Sequence, residues 1–156
     1  MPLTTDASAF HAGFVSVVGR PNVGKSTLVN RLVGQKVAIV SDKPQTTRNR
    51  ILAVVNAPGG QIVLFDTPGI HKPMHRMNQR MVETAVRSLG QVDLAVWVVD
   101  ITEPYGPGDR YVRDVLAKAG RPVILAINKI DRVPKPKILS AIEQYRSLLD
   151  LSLIHI

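Results

Sequence analysis

The stretch FVSVVGRPNVGKSTLVNRLVG, residues 14–34, decides how the chain folds. Phe14–Val18 is short, apolar and mostly β-branched, and it stops at a glycine, so it reads as a buried strand. Ser26–Leu32 continues with helical period. Between them Gly19-Arg20-Pro21-Asn22-Val23-Gly24-Lys25-Ser26 fits G-x-x-x-x-G-K-[ST], in the strand–turn–helix setting that gives the pattern its meaning. Glycines let successive backbone N–H groups turn toward phosphate oxygens, and the helix N-terminus adds the positive end of its dipole. Lys25 is placed to reach the β- and γ-phosphates and the Ser26 hydroxyl to ligate Mg²⁺, with Thr27 next in the same turn. The pattern specifies a nucleoside triphosphate without saying which.

Outward from this stretch, Ile51–Val55, Ile62–Phe65, Leu94–Val99 and Val123–Ile127 are further short apolar bursts bounded by turn residues. Met77–Leu89, Arg110–Ala119 and Ile138–Leu149 carry helical period between them. In the first of these Met77, Met81 and Ala85 recur at i, i+4, with Val82, Val86 and Leu89 on the adjoining row. The turn Ala57-Pro58-Gly59-Gly60 makes the second and third strands an antiparallel hairpin. Every other strand is followed by a helix, which calls for parallel crossovers. The expected fold is a three-layer α/β domain of the P-loop NTPase (small GTPase-like) kind, its sheet mostly parallel with one antiparallel hairpin. Residues 36–50, basic, with Pro44 and the adjacent Thr46 and Thr47, resist this scheme and read as a long functional loop.

Two further motifs select the nucleotide and the metal. Asn128-Lys129-Ile130-Asp131 follows the strand Val123–Ile127, on the edge where ligands bind in an open α/β sheet. An ionised Asp131 accepts two hydrogen bonds from a base with adjacent N–H and NH₂ donors, which guanine has and adenine lacks. Lys129 would lay its stem along the base, while Asn128 braces the loop and reaches the purine N7. Asp66-Thr67-Pro68-Gly69 closes the strand Ile62–Phe65. Asp66 is placed to hold Mg²⁺ through a water, and the Gly69 N–H to bond the γ-phosphate, a bond that breaks when hydrolysis removes that phosphate. Thr46 or Thr47 is the expected second Mg²⁺ hydroxyl, with Thr47 favoured. His71 and His75 read as solvated histidines, and Asp100 as a structural residue rather than a metal ligand.

Composition narrows the class without naming it. The 156 residues suit one domain, and with no cysteine there is no disulfide framework, thiolate zinc site or cysteine nucleophile, which is the habit of a cytosolic protein. The longest apolar run, Leu94–Val99, falls far short of the ~20 residues of a membrane helix. The net charge of +8 favours an anionic partner, and residues 1–78 hold most of the excess.

With these motifs placed, the sequence resembles the TRAFAC-class GTPases, and within them the Era family. GRPNVGKSTLVNRLVGQKVAIVS (19–41), KPQTTRNRI (43–51) and DTPGIHKP (66–73) carry the resemblance, and Asn128–Asp131 agrees in type and spacing. The EngA family shares the first stretch but lacks the KPQTTR segment and the HKP. The resemblance implies slow, Mg²⁺-dependent hydrolysis of GTP to GDP and a role in assembling the small (30S) ribosomal subunit. It implies 16S rRNA as partner, bound through a KH domain absent from this sequence, no DNA, and a cytoplasmic place with peripheral membrane association. It also implies a K⁺ held by Asn22, because Ile70 stands where some relatives place a water-orienting glutamine. Lys25, Asn22, Thr47 and Gly69 are then the residues expected to act on the γ-phosphate. Residues 1–12 are expected as an N-terminal extension, 13–150 as a GTPase domain lacking its last guanine-supporting motif, and 151–156 as a truncated last strand or a non-native tail. Residues 36–49 and 67–76 are expected to order on binding GTP and Mg²⁺. An EngA-like GTPase and a P-loop ATPase or kinase remain the competing readings.

Overall fold

The computed structural model describes residues 10–38, 51–71, 76–149 and 153–155. Six strands are described: β1 (His11–Val18), β2 (Ile51–Ala57), β3 (Gly60–Asp66), β4 (Leu94–Asp100), β5 (Val123–Asn128) and β6 (Leu153–His155). They form one sheet in the order β2-β3-β1-β4-β5-β6. The helices are α1 (Lys25–Val33), α2 (Arg76–Leu89), α3 (Pro107–Ala119) and α4 (Lys135–Arg146). As the sequence predicts, β2 and β3 pair antiparallel across the Pro58-Gly59 turn, and every other neighbouring pair is parallel.

The differences lie at the ends of elements. β1 begins at His11, which pairs with Gly60 while Ala12 pairs with Gln61, so the sheet takes in the last two residues of the expected 1–12 extension. α3 begins at Pro107 and α4 at Lys135, each with a proline in its first turn. Proline there loses no internal hydrogen bond, and polar first turns add nothing to the apolar period that locates a helix. Leu153–His155 pair with Ile124–Ala126 of β5 and extend the sheet by one parallel strand.

Alternation along the central strands builds two cores, one on each face. Ala95, Trp97 and Val99 of β4 and Val123, Leu125 and Ile127 of β5 meet Ala85, Leu89, Val112, Leu116 and Tyr145 from α2, α3 and α4. Val98 and Ala126 point the other way and join Val15, Val17 and Val29 under α1. Strands buried on both faces need no polar alternation, which is why β4 reads as a continuous apolar run. Trp97 is fully buried, its ring set edge-on to Tyr145 at 5.2 Å between centroids. On α2 the predicted face is buried at Met81, Val82, Ala85 and Leu89, whereas Val86 turns outward and is exposed.

Parallel connection also brings the C-terminal ends of β1, β3, β4 and β5 to one edge of the sheet, and each of those ends leads into polar residues singled out above. One buried polar contact ties α2 to this frame. Ser88 Oγ donates to the Ala85 carbonyl at 2.7 Å and lies 3.0 Å from Ser16 Oγ of β1. Ser16 must therefore be the donor to Ser88. Removing the acceptor strands a buried hydroxyl, whereas removing the donor leaves Ser88 bonded to Ala85. Ser88→Ala should thus destabilise the chain by about 1–3 kcal/mol and Ser16→Ala by less. Urea denaturation of the two variants checks the order, and equal losses would contradict it.

Candidate nucleotide site

The P-loop runs from the end of β1 into α1. Gly24 adopts φ +103 in the left-handed region, and a Cβ there would overlap the Asn128 side-chain amide. Only glycine allows the loop and the base-reading turn to come this close. Val23 is buried in the α1-side core and anchors the loop from below. Asn22, also left-handed at φ 63, is exposed at its tip.

Four carbonyls of the loop are engaged, three by donors from outside it and Arg20 O by the loop's own Lys25. Gly19 O accepts from Ile70 N at 2.9 Å, Arg20 O from Lys25 Nζ at 2.6 Å, Asn22 O from Lys129 Nζ at 3.0 Å and Val23 O from Asn128 Nδ2 at 2.8 Å. Asn128 and Lys129 thus fasten the turn expected to read the base onto the P-loop. Lys129 holds φ 61, and Asp131 follows in a 3₁₀ turn over Ile130–Arg132 with its side chain exposed.

Lys25 is buried, and burial depresses its pKa from 10.5 to about 8, although the nearby Asp66 carboxylate pulls it upward. Asp66 is fully buried at the end of β3 and accepts from Ser26 Oγ at 2.7 Å. The two expected Mg²⁺ residues therefore meet between the first turn of α1 and the end of β3. A hydroxyl and a carboxylate are the hard oxygen donors that Mg²⁺ prefers when phosphates complete its shell, so the pair fits that ion.

The Asp-Thr-Pro-Gly turn packs directly on the loop. A Cβ at Gly69 would stand 2.7–2.8 Å from Pro21, closer than real contacts allow. Thr67 Oγ1 donates to Val17 O at 2.7 Å, so this hydroxyl fixes the turn to β1, and Pro68 is buried beside it. Ile70 is fully buried in the core with Ala85 and Trp97. Its side chain therefore turns away from the phosphate side, which explains how an apolar residue is tolerated at this position. His71 Nδ1 lies 3.1 Å from Gly69 O. Thr46, Thr47 and His75 lie outside the described residues.

Sequence reading left one part of the site unseen. Arg20 sends its guanidinium toward α3, to Glu103 at 2.6 Å and to the buried Asp109 at 3.1 Å. Asp109 also accepts the Gly106 N–H at 3.0 Å, capping α3. Asp100 accepts from Thr102 and Lys129, and these bonds hold its carboxyl below the ordinary value although burial, the largest influence, acts upward. A carboxylate ending β4 on the ligand-binding edge was the available signal for this second ring of contacts.

On the comparisons with known proteins, residues 14–129 match the family described as 50S ribosome-binding GTPase. The chain is 53% identical over 138 residues to GTPase Era of Heliobacterium modesticaldum, covering 88% of this chain and 46% of that protein. Among solved structures, Era in complex with MgGDPNP and nucleotides 1506–1542 of 16S ribosomal RNA superposes with a TM-score of 0.86 at 41% identity, over 92% of this chain and 50% of that one. A variant of Aquifex aeolicus Era bound to GDP and AlF₄⁻ gives the same TM-score, identity and coverage. The chain spans about half the length of the relatives it matches.

The buried ammonium sets a stability test. Because the folded pKa of Lys25 lies below the unfolded one, the unfolded chain binds the extra proton between about pH 8 and 10.5. The nucleotide-free fold should therefore gain stability as pH rises through that window, and below it the burial costs on the order of 3 kcal/mol. Lys25→Met should abolish nucleotide binding, raise the melting temperature at pH 7, and remove this part of the pH slope. A lower melting temperature than wild type would show that burial is not the dominant cost.

Proposed function

The chain belongs to the family of 50S ribosome-binding GTPases, and from that premise we propose that it is the GTPase domain of an Era-type switch that binds and slowly hydrolyses GTP. What carries the reading is the junction of the P-loop with Asn128-Lys129-Ile130-Asp131, made through Val23 O and Asn22 O at one edge of the sheet. A phosphate-binding loop and the turn that carries a guanine-selecting carboxylate, joined by direct hydrogen bonds from Asn128 and Lys129, have little use apart. In this reading the inward N–H groups of Gly19–Ser26 and the Lys25 ammonium hold the β- and γ-phosphates. Ser26 and Asp66 hold Mg²⁺, with Thr47 as the further hydroxyl, and Gly69 contacts the γ-phosphate. When bound, Mg²⁺ would supply charge neutralisation at the phosphates. No side-chain general base is required: phosphoryl transfer is driven mainly by positioning and by cationic charge around the γ-phosphate. Asn22, exposed at the loop tip, is the residue proposed to hold a K⁺ that adds to that charge.

The partner reading rests on resemblance. The Era structure with which this chain superposes contains 16S rRNA, and we extend that partner, and the 30S subunit it belongs to, to the protein that carries this domain. A cytoplasmic place and peripheral membrane contact belong to the same proposal. Among the described residues no helix is long and apolar enough to cross a membrane.

Titration with GTP and ATP side by side should show binding of GTP alone. Asp131→Asn should weaken GTP roughly a hundredfold or more and restore affinity for xanthosine triphosphate, whose 2-oxo group accepts from the new amide. Equal losses for both nucleotides would remove Asp131 from base recognition, and ATP bound as tightly as GTP would return the chain to the ATPase reading. Hydrolysis should run several-fold faster in KCl than in NaCl, and equal rates would discard the K⁺ site.

A further inference from the structure

Asp100, at the end of β4, belongs to none of the three nucleotide motifs, yet its side chain is 5% exposed and wholly committed. Thr102 occupies one oxygen, its N–H at 2.9 Å and its Oγ1 at 2.5 Å from Oδ1. The second oxygen, Oδ2, accepts from Lys129 Nζ at 2.5 Å. The same ammonium donates to Asn22 O at 3.0 Å. One cation thus joins three strand ends: the P-loop after β1, Asp100 closing β4 and the base-reading turn after β5. Without the carboxylate, a long flexible side chain would have only one carbonyl to hold it, and its backbone sits in the left-handed region that non-glycine residues avoid. Thr102 sets the rotation of the carboxylate, so Oδ2 is presented to Lys129 and not to solvent.

We propose that Asp100 is a positioning residue for guanine-nucleotide binding: by fixing the Lys129 ammonium between Asn22 and β4, it sets how tightly the nucleotide is held. The inference rests on the proposed GTP-binding reading and adds a residue to it. Asp100 acts through Lys129, so its contribution falls on affinity and not on the hydrolytic step.

A double-mutant cycle in the whole chain tests this. Asp100→Asn keeps the shape and the oxygen facing Thr102 but replaces the acceptor of Lys129 with an amide that cannot accept. It should raise the Kd for a fluorescent GDP by about tenfold, the scale of one hydrogen bond to a charged group. The KM for GTP should rise with it, and kcat at saturating GTP should stay within about twofold. In a Lys129→Met background the same substitution should change the Kd by less than twofold, because its route of action is gone. An equal loss in both backgrounds, or no loss in either, overturns the proposal. A second readout needs no nucleotide: backbone amide resonances of Asn22, Val23 and Gly24 should shift in Asp100→Asn, and shifts confined to Ile101–Glu103 would assign Asp100 to local turn structure alone. A wild-type chain that bound no GDP would defeat the GTP-binding reading, and the amide shifts would still decide whether Asp100 positions Lys129.

Discussion

A phosphate-binding loop can present its N–H groups to an anion only if its carbonyls are satisfied elsewhere. Across a trans peptide the C=O and the following N–H point in opposite directions. Engaging the carbonyls of Gly19, Asn22 and Val23 on the outside therefore turns the amides of Arg20, Val23 and Gly24 inward. The donors come from Ile70, just after the Asp-Thr-Pro-Gly turn, and from Asn128 and Lys129, so the motifs proposed for metal and base also shape the loop proposed for phosphate. The rest of the edge depends on this outward ring: Gly69 must be small to let the turn reach Gly19, and Gly24 to let Asn128 reach Val23.

Much of this was legible in the residues alone. β-branched runs located the central strands, Pro58-Gly59 located the hairpin, and the P-loop named the edge where the other motifs had to assemble. Element ends were less legible, since a polar first turn such as Pro107–Asp109 carries no apolar signal, and its role appears only when Asp109 caps Gly106 and meets Arg20. The contacts that escaped altogether are long-range ion pairs. Nothing in the local sequence of Arg20 says that its side chain leaves the phosphate side for α3, and nothing around Asp100 says that a lysine from the turn after β5 will find it. Such pairs depend on how the strand ends stack side by side, which is set by the sheet order and not by spacing along the chain.

Lys25 shows the energetic side of the same design. Its ammonium is buried against a carbonyl and near a carboxylate, an arrangement that favours an incoming polyanion more than it favours the fold by itself. Functional sites commonly spend stability in this way, and the apolar cores on the two faces of the sheet supply the compensation.

The register of the hairpin has a consequence for the stretch between α1 and β2. Asn30 on α1 holds Val37 N, Ala38 N and Ala38 O at 2.7–2.9 Å, and Ile51 at the start of β2 pairs with Asp66 itself. Both anchors of the stretch carrying Thr46 and Thr47 are thus tied to α1 and β3, the elements that bring Ser26 and Asp66 together. Any engagement of those threonines with the site is a ring closure between fixed points and not an encounter, and its entropic cost grows only with the logarithm of loop length. Insertions or deletions of a residue or two within the stretch should then be less costly than loosening the tether that Asn30 makes, one turn of helix beyond Ser26.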